Sequence, residues 1–460
     1  MARSAVSWGF ASGTSGPGWW VRAVVGMKLG MIFETIFGDS VCGDLDYSVA
    51  IPSSISETWL MTSTSQVSSE GLHFSPIGRL VPIIGHDGRF GEEYRTSAFL
   101  PDELPVSIVL PSSVWLVVTD AMTELGRLDA AASLVPNPQL VARLATRREA
   151  IGTSALEGTF ADLTDLFVAE ILQDEAVAPN VREVMNYTRA ADEAYSWVKD
   201  RPITIGLLES LQAIIVRGTA SDGTDTGSLR TNQVFIGAKH RRISEARFVP
   251  PPAGDQLRAM CERWIEWLTA PEPTANIHLL ARIALAHYQF ETLHPFTDGN
   301  GRLGRLVTVL QMLREGVLRS PVLALSPWFE ERGDEYRDHL LAVSRTGDWA
   351  PWIEFFANAV KSEARSGHDR IMRLLELKSE MLDMVRTAFP RGRLVLEIAD
   401  ELIAHPILSV ADAHRRFGRS NQGNRDAIKA LVGIGLLEPY GANRYDQMYW
   451  CRRVFAAIQP

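Results

Sequence analysis

The chain has 460 residues, with 46 Lys and Arg against 55 Asp and Glu, a net charge of −9, and 46% hydrophobic residues. That length suits about three domains with sizeable cores, and the acidic balance excludes a general nucleic-acid or membrane coat while leaving room for a local basic patch. Cys42, Cys261 and Cys451 stand too far apart for a metal site or a disulfide framework, which fits a reducing cytoplasm.

Residues 1–90 are rich in Ser, Gly and Thr and hold no lasting helical period. The run Trp19 to Phe33 is interrupted by Arg22 and Lys28 and is too short to cross a bilayer, so no membrane anchor is read there. This extension is disordered, a small accessory unit, or translation from upstream of a true start at Met61 or later. From Tyr94 the pattern becomes orderly. Pro111-Ser-Ser-Val opens a helix whose Trp115, Leu116, Val118, Met122, Leu125 and Leu128 recur at half-buried spacing. Pro136-Asn-Pro138 punctuates the chain before a second helix from Gln139 through Arg148. Leu163 to Ile171, Val184 to Trp197 and Ile205 to Val216 extend a helical bundle.

The turn-rich Ser221 to Gly227 gives way to two β-type runs, Gln233–Gly237 and Ala246–Val249, around the basic turn Lys239-His240-Arg241-Arg242. This predicts an exposed hairpin whose free edge can pair with an extended segment of another protein. The basic turn is either a solvated tip or a preference for acidic targets. Leu257–Leu268 and Ile277–Leu293 then read as core helices, joined later by Arg302–Glu315 and Tyr336–Val343.

After the helix that begins at Ile277 comes His294-Pro-Phe-Thr-Asp-Gly-Asn-Gly-Arg-Leu-Gly-Arg305. Pro295 is expected to end the helix and turn His294 into an extended, accessible position. Asp298-Gly-Asn-Gly301 feeds a new helix near Gly301, where N–H groups and the helix dipole favour an anion. Arg302 and Arg305 lie three apart on one face and add positive charge beside it.

At every fixed position this string resembles the signature of the Fic family, nucleotidyl transferases that mostly move AMP from ATP onto a protein hydroxyl. The resemblance implies a mostly α fold: a Fic-type helical core with a β-hairpin flap, a helical N-terminal region and a C-terminal winged helix. It implies His294 as general base, Asp298 as the magnesium ligand, and Gly299, Asn300 and Gly301 as a backbone cradle for the phosphates of ATP. Arg302 would assist there, Arg305 would reach the γ-phosphate, and Phe296 would point into the core. Thr153-Ser-Ala-Leu-Glu157-Gly158 resembles the family's inhibitory motif, which implies that Glu157 pairs with Arg305 in the γ-phosphate's place. The two β-type runs, preceded by Leu229-Arg230, resemble the flap, so Val234, Phe235, Ile236 and Gly237 would register the target by main-chain pairing.

Further helices are expected over Trp352–Glu363 and Arg370–Val385. Beyond Pro390, a helix over Val395–Ala404, a short helix Val410–Phe417 capped by Ser409, a Gly418 turn, a helix Arg425–Val432 and β runs at Leu436-Leu-Glu and Met448-Tyr-Trp450 resemble a winged helix. Its Arg415, Arg416, Arg419, Arg425 and Lys429 suit DNA phosphates, but the module equally suits docking or self-association. The expected domains are an N-terminal extension at 1–90, a helical region with the inhibitory motif at 91–200, a catalytic core at 201–370 and the winged helix at 371–460. The resulting expectation is an autoinhibited, ATP- and magnesium-dependent protein adenylyltransferase acting on a Ser, Thr or Tyr hydroxyl, with self-modification and a homodimer as further options and no membrane role. The alternatives are a related enzyme with another donor or with de-AMPylating activity, and a DNA-binding regulator that senses nucleotide.

Overall fold

A 3-10 turn at Leu72–Phe74 leads into a strand whose residues largely alternate between solvent and cover. β1 (Gly78–Asp87) pairs antiparallel with β2 (Glu92–Pro101), with Gly78 opposite Pro101 and Asp87 opposite Glu92. Val81, Ile83 and Gly85 are half-buried while Pro82, Ile84 and His86 face out, the period of a strand covered on one side. The computed structural model describes residues 71–460 except 89, 136, 173–176, 199, 238–241, 271–275, 442–446, 459 and 460. The chain divides into units Met1–Leu60 and Met61–Pro460, and every described residue lies in the second. Expectations for residues 1–70, for Pro136 and for Lys239, His240 and Arg241 therefore lie outside the described residues. The expected boundary at residue 90 falls in the loop between β1 and β2. Pro82 and Gly85 weaken the strand signal there, which hid the hairpin from the sequence pattern.

Among the described residues eleven helices follow: α1 (Ser112–Ser133), α2 (Gln139–Leu156), α3 (Leu163–Leu172), α4 (Pro179–Val198), α5 (Ile205–Val216), α6 (Asp255–Thr269), α7 (Leu279–Leu293), α8 (Asn300–Arg314), α9 (Ser326–Glu331), α10 (Gly333–Thr346) and α11 (Ala350–Ala388). Two of them form the centre. Every residue of α8 from Asn300 to Met312 is buried, and α7 is buried on nearly all sides from Leu280 to Leu293. A helix covered all round has no face on which to leave a polar group in water. His287 accordingly stacks on Trp352 and meets the Tyr336 hydroxyl at 2.7 Å, and burial pushes its imidazole down to about 3.

The expected helices Trp352–Glu363 and Arg370–Val385 are one continuous helix, α11, so the expected boundary at residue 370 falls inside it. No proline separates the two halves, and a lone glycine costs a helix only about 1 kcal/mol. Gly367 sits where an added Cβ would lie 3.1 Å from Leu128 on α1, so its smallness serves close packing.

From there the order is α12 (Arg393–Glu401), β3 (Ile407–Ser409), α13 (Val410–Phe417), α14 (Asn421–Gly433), β4 (Glu438–Tyr440), β5 (Met448–Trp450) and α15 (Arg452–Ile458). The three strands form an antiparallel sheet in the order β3-β5-β4. Ser409 accepts from Asp412 N at 3.1 Å and Ser420 from Gly423 N at 3.1 Å, capping α13 and α14. β4 lies two residues beyond the run expected at Leu436, because Leu436 and Leu437 are core residues. Arg415 and Arg416 on α13 pair with Asp412, and Arg415 also reaches the Ile171 carbonyl of α3 at 3.5 Å while 41% of its side chain stays open to solvent. Among the described residues no helix is long and apolar enough to cross a membrane.

α2 is fixed to α9 at one close approach, where an added Cβ on Gly152 would lie 2.7 Å from Pro327 N and 2.9 Å from the Ser326 carbonyl carbon. Gly152→Val should overpack this contact and destabilise the chain by about 1–3 kcal/mol. Chemical denaturation measures this directly; an unchanged midpoint would show that the two helices have room between them.

A candidate anion-binding and proton-transfer site

The loop between α7 and α8 is held by its own residues. The Asn300 side chain donates to the Phe296 carbonyl at 2.7 Å and accepts from Phe296 N at 2.9 Å, closing a ring around residues 296–300. Phe296 is fully buried. Gly299 caps α8 at φ 83°, a left-handed conformation that a glycine adopts without strain. Gln212 on α5 donates to the Asp298 carbonyl at 3.1 Å and accepts from Gly227 N at 2.7 Å, tying the loop to the turn before the flap.

His294 is not extended, as the following proline suggested, but left-handed, with φ 46° and ψ 61°. Its N–H donates to the Phe290 carbonyl at 2.9 Å, the single bond that closes a left-handed helix cap. It is the one non-glycine residue at positive φ among the described residues. Such a conformation costs about 1–3 kcal/mol and persists only where the surroundings impose it. Arg230 is part of those surroundings: its Nε donates to the His294 carbonyl at 2.8 Å.

The N-terminus of α8 offers a seat for an anion, since the first N–H groups of a helix have no intrahelical acceptor and carry the positive end of its dipole. A carboxylate from the same chain lies on it. An added Cβ on Gly301 would fall 2.1 Å from Glu157 Oε1, so the glutamate rests directly over the bare glycine. Arg305, 3% exposed, donates through Nη2 to Glu157 Oε1 at 2.8 Å and through Nε to Thr153 Oγ1 at 2.7 Å, with the Thr153 carbonyl at 3.2 Å. Burial pushes the Glu157 carboxyl up, but the Arg305 charge and hydrogen bond outweigh it and hold the group below its ordinary value. Gly158, at φ 89°, ends the turn behind Glu157.

Around this pair stand the remaining charged groups. Asp298 is half-buried; its carboxylate accepts from the Ser221 hydroxyl, from Gly299 N and from Arg302 Nη2 at 3.3 Å. Arg302, 3% exposed, also reaches Glu183 at 3.4 Å. Burial pushes Glu291 up to about 7 even beside Arg305. Burial, reinforced by the Arg230 charge, pushes the His294 imidazole down to about 4, so it is neutral and able to accept a proton at pH 7. His294, Glu157, Arg305, Glu291 and Tyr336 line one cavity of about 150 Å³ with Ile236 and Phe248 of the flap. A larger hollow of about 1190 Å³ lies elsewhere, lined by Arg143, Arg147 and His405, and holds none of these groups.

The flap is less of a hairpin than its sequence suggests. Ile236 N donates to Phe248 O at 2.9 Å and Arg247 N to Ile236 O at 2.8 Å, and among the described residues this is the single bridge between the arms. Gly237 at φ 83° and the three prolines after Val249 end the ladder on both sides. Val234, Phe235 and Ile236 are half-buried and Gly237 is exposed. The β1–β2 hairpin braces the arms: Phe99 N donates to Val249 O at 2.8 Å, Phe99 packs edge-on to Phe248, and Tyr94 packs edge-on to Phe235. The structure thus gathers His294, Asp298, Gly299, Asn300, Gly301, Arg302, Arg305, Thr153 and Glu157, with Ile236 at the edge. Nothing in the sequence pattern marks Gln212, Ser221, Glu291 or Tyr336 for this site, or gives Arg230 a role in it. Their types are ordinary and only long-range contact makes them part of the site.

Comparison with known proteins bears on the same segments. Residues 115–196 match the family model described as Fic/DOC family N-terminal, and residues 202–312 match the Fic/DOC family model. The chain carries a Fic domain. Protein adenylyltransferase Fic of Drosophila willistoni is 33% identical over 140 residues, 30% of this chain and 24% of that protein. Its namesake in Drosophila melanogaster is 32% identical over 140 residues, 30% of this chain and 25% of that protein. The chain thus spans about a quarter of the length of these curated relatives. A solved Fic family protein from Desulfovibrio desulfuricans G20 is 21% identical, covering 76% of this chain and 98% of that one with a TM-score of 0.48.

The depressed His294 value has a consequence for stability. Between the ordinary histidine value of about 6.5 and the folded value of about 4, the unfolded chain binds the proton and the Fic domain does not, so stability falls as pH drops through that window. The thermal midpoint of wild type should therefore decline more between pH 6.5 and pH 4 than that of His294→Gln. His287 and His405 are common to both proteins and cancel in the comparison. Equal slopes would mean that His294 titrates as a free histidine.

Proposed function

We propose that the chain is a protein adenylyltransferase that transfers AMP from ATP to a hydroxyl side chain of a target protein and is held back by Glu157. The observation that carries this reading is the Glu157 carboxylate lying over Gly301 and 2.8 Å from Arg305, at the place where a helix N-terminus, a glycine and a buried guanidinium would otherwise receive an anion. The activity named for the Drosophila relatives, protein adenylyltransferase, supports it.

In this reaction the target oxygen attacks the α-phosphorus of ATP, the bond to the bridging oxygen breaks and pyrophosphate leaves. The neutral His294 imidazole takes the hydroxyl proton. Phosphates beside it would raise its affinity for that proton, bringing a base that titrates at about 4 in the free protein closer to the working pH. Asn300 and Gly301 offer backbone N–H groups to the phosphates, the Gly299 N–H being held by the Asp298 carboxylate, and Arg302 stands next to them. Arg305 takes the γ-phosphate once Glu157 leaves. With Glu157 in place the cavity holds about 150 Å³, below the range of about 300–1,000 Å³ that ligand pockets span.

A divalent cation fits this arrangement only in one way. Among the described residues no group of three or more His, Cys, Asp or Glu could hold a metal, so Asp298 would share magnesium with phosphate oxygens, a coordination that this ion favours. Bound there, magnesium supplies charge neutralisation for the departing pyrophosphate. The half-buried arm Val234–Gly237 would pair with the target main chain and bring its hydroxyl to His294. We read the C-terminal unit as a winged helix from its helix, strand, helix, helix, strand, strand order, and as a docking module rather than a DNA reader, since Arg415 and Arg416 are bound to Asp412. Cys261 and Cys451, both free and buried, suit a reducing compartment such as the cytoplasm.

The test compares wild type, Glu157→Gly and Glu157→Gly/His294→Ala with α-labelled ATP and magnesium, following label in the protein itself and in added lysate. Label should rise about tenfold or more in the single variant, the scale of a lost interaction of about 1.4 kcal/mol, and drop by about 10²–10⁴ when the base is removed as well. Absence of label from every folded variant would defeat the reading. In the Glu157→Gly background, Asp298→Ala should raise the magnesium concentration needed for half-maximal transfer, and an unchanged magnesium curve would remove Asp298 from the metal site.

A further inference from the structure

Arg230 is 1% exposed and stands three residues before the flap begins at Gln233. Its guanidinium makes contacts in two directions. Nη1 donates to the Asn232 carbonyl at 3.3 Å and Nη2 to the Pro251 carbonyl at 2.6 Å, the two feet between which the flap is strung. Nε donates to the His294 carbonyl at 2.8 Å, Nη2 reaches the Leu293 carbonyl at 3.4 Å, and the Arg230 main-chain N donates to Pro295 O at 2.9 Å. Those three oxygens belong to the end of α7 and the start of the motif.

All these acceptors are peptide oxygens. A guanidinium offers its donors in a rigid planar fork, and this fork spans four carbonyls from three segments at once. Leu293 and His294 end a helix, so their carbonyls lack intrahelical partners and carry the negative end of its dipole, which a cation answers. A buried cation without a carboxylate is a costly way to fill a core. Joining the flap to the backbone of the base is what this residue accomplishes that an apolar one could not.

We infer that Arg230 is a positioning residue: one guanidinium fixes both feet of the flap to the left-handed peptide of His294 and so sets where a docked hydroxyl meets the imidazole. The part concerning the docked hydroxyl rests on the adenylyltransferase reading, whereas the link between Arg230 and His294 does not. Arg230 also acts on the titration of the base. The charged groups that face His294 are Arg230 from the flap foot, which lowers its value after burial, and Glu157 from the end of α2 and Asp298 from the loop, which raise it; Glu291 and Arg305 line the same cavity.

The experiment uses the full chain carrying Glu157→Gly, alone and with Arg230→Lys or Arg230→Gln. Imidazole titrations are followed by NMR on ¹³C-labelled histidine, with His294→Gln assigning the His294 signal among the 10 histidines. In the parent this signal should titrate at or below the wild-type value of about 4, because the Glu157 carboxylate that raises it is gone. Arg230→Gln removes the charge and should move it upward. Arg230→Lys keeps the charge and loses the fork, so the signal should stay low while kcat for label transfer falls about tenfold and the KM for ATP stays within about twofold. The inference is overturned if Arg230→Gln leaves the titration unchanged, or if Arg230→Lys retains full kcat. It is also overturned if neither variant folds, because Arg230 is then a structural prop. Should the parent itself transfer no label, the adenylyltransferase reading fails, and the His294 titration still decides whether Arg230 governs the base.

Discussion

Arg305 is a charge buried at the centre of the protein, and the arrangement around it follows from that fact. It sits on α8, a helix with no solvent face, so its guanidinium must be answered from inside. The answers come from three directions: Thr153 and Glu157 from α2, Glu291 from α7, and the Tyr336 hydroxyl from α10, which feels the same charge. Burial by itself would weaken the Arg305 charge, and its carboxylate neighbours more than reverse this. A site that presents a permanent cation to a cavity needs this kind of framework before it can hold any anion.

Two glycines of α8 make the framework fit. Glu157 Oε1 would lie 2.1 Å from a Cβ on Gly301, and Glu291 Oε1 2.6 Å from a Cβ on Gly304. The two carboxylates thus flank Arg305 on seats three residues apart along one helix, and no larger side chain would admit them. The Arg305 pair holds Glu157 low, while Glu291, with a carboxylate oxygen lacking a hydrogen bond, is raised to about 7. The two acids shift in opposite directions because only Glu157 has the hydrogen bond to Arg305, at 2.8 Å, whereas at Glu291 burial outweighs the Arg305 charge.

Much of this was legible because it is local. The cap residue Ser409, the helical spacing of α1 to α5, and the glycines and arginines of residues 294–305 are all statements about neighbours in the chain. What was not legible depends on residues that meet only after folding. Arg230 looks like any arginine until it meets carbonyls 21 and 64 residues away. The β1–β2 hairpin escaped because Pro82 and Gly85 blur its alternation, although Ala98 and Phe99 are wholly buried against the flap. The left-handed His294 could not be read from the proline after it, since that rule points to extended backbone and is overruled by the cap bond to Phe290 and the hold of Arg230 on the His294 carbonyl. The unity of α11 was hidden by Gly367, whose presence answers to Leu128 on another helix.

The anchorage of α2 sets how fast the Arg305 site can open. Glu149 is fully buried and accepts from Ser326 N at 2.9 Å and from the Ser326 hydroxyl, and Gly152 lies against Pro327, so the helix body is pinned to α9. Glu157 lies one residue past the end of that helix with 38% of its side chain open to solvent, followed by a left-handed glycine whose surroundings are empty to 4 Å. Opening therefore calls for the rotation of one partly exposed side chain, an event of picoseconds to nanoseconds once its ion pair breaks, and not for a helix or domain displacement of microseconds to milliseconds. If an anion competes with Glu157 for Arg305, as the proposed function requires, occupancy of the seat is a rapid equilibrium set by the concentration and charge of that anion.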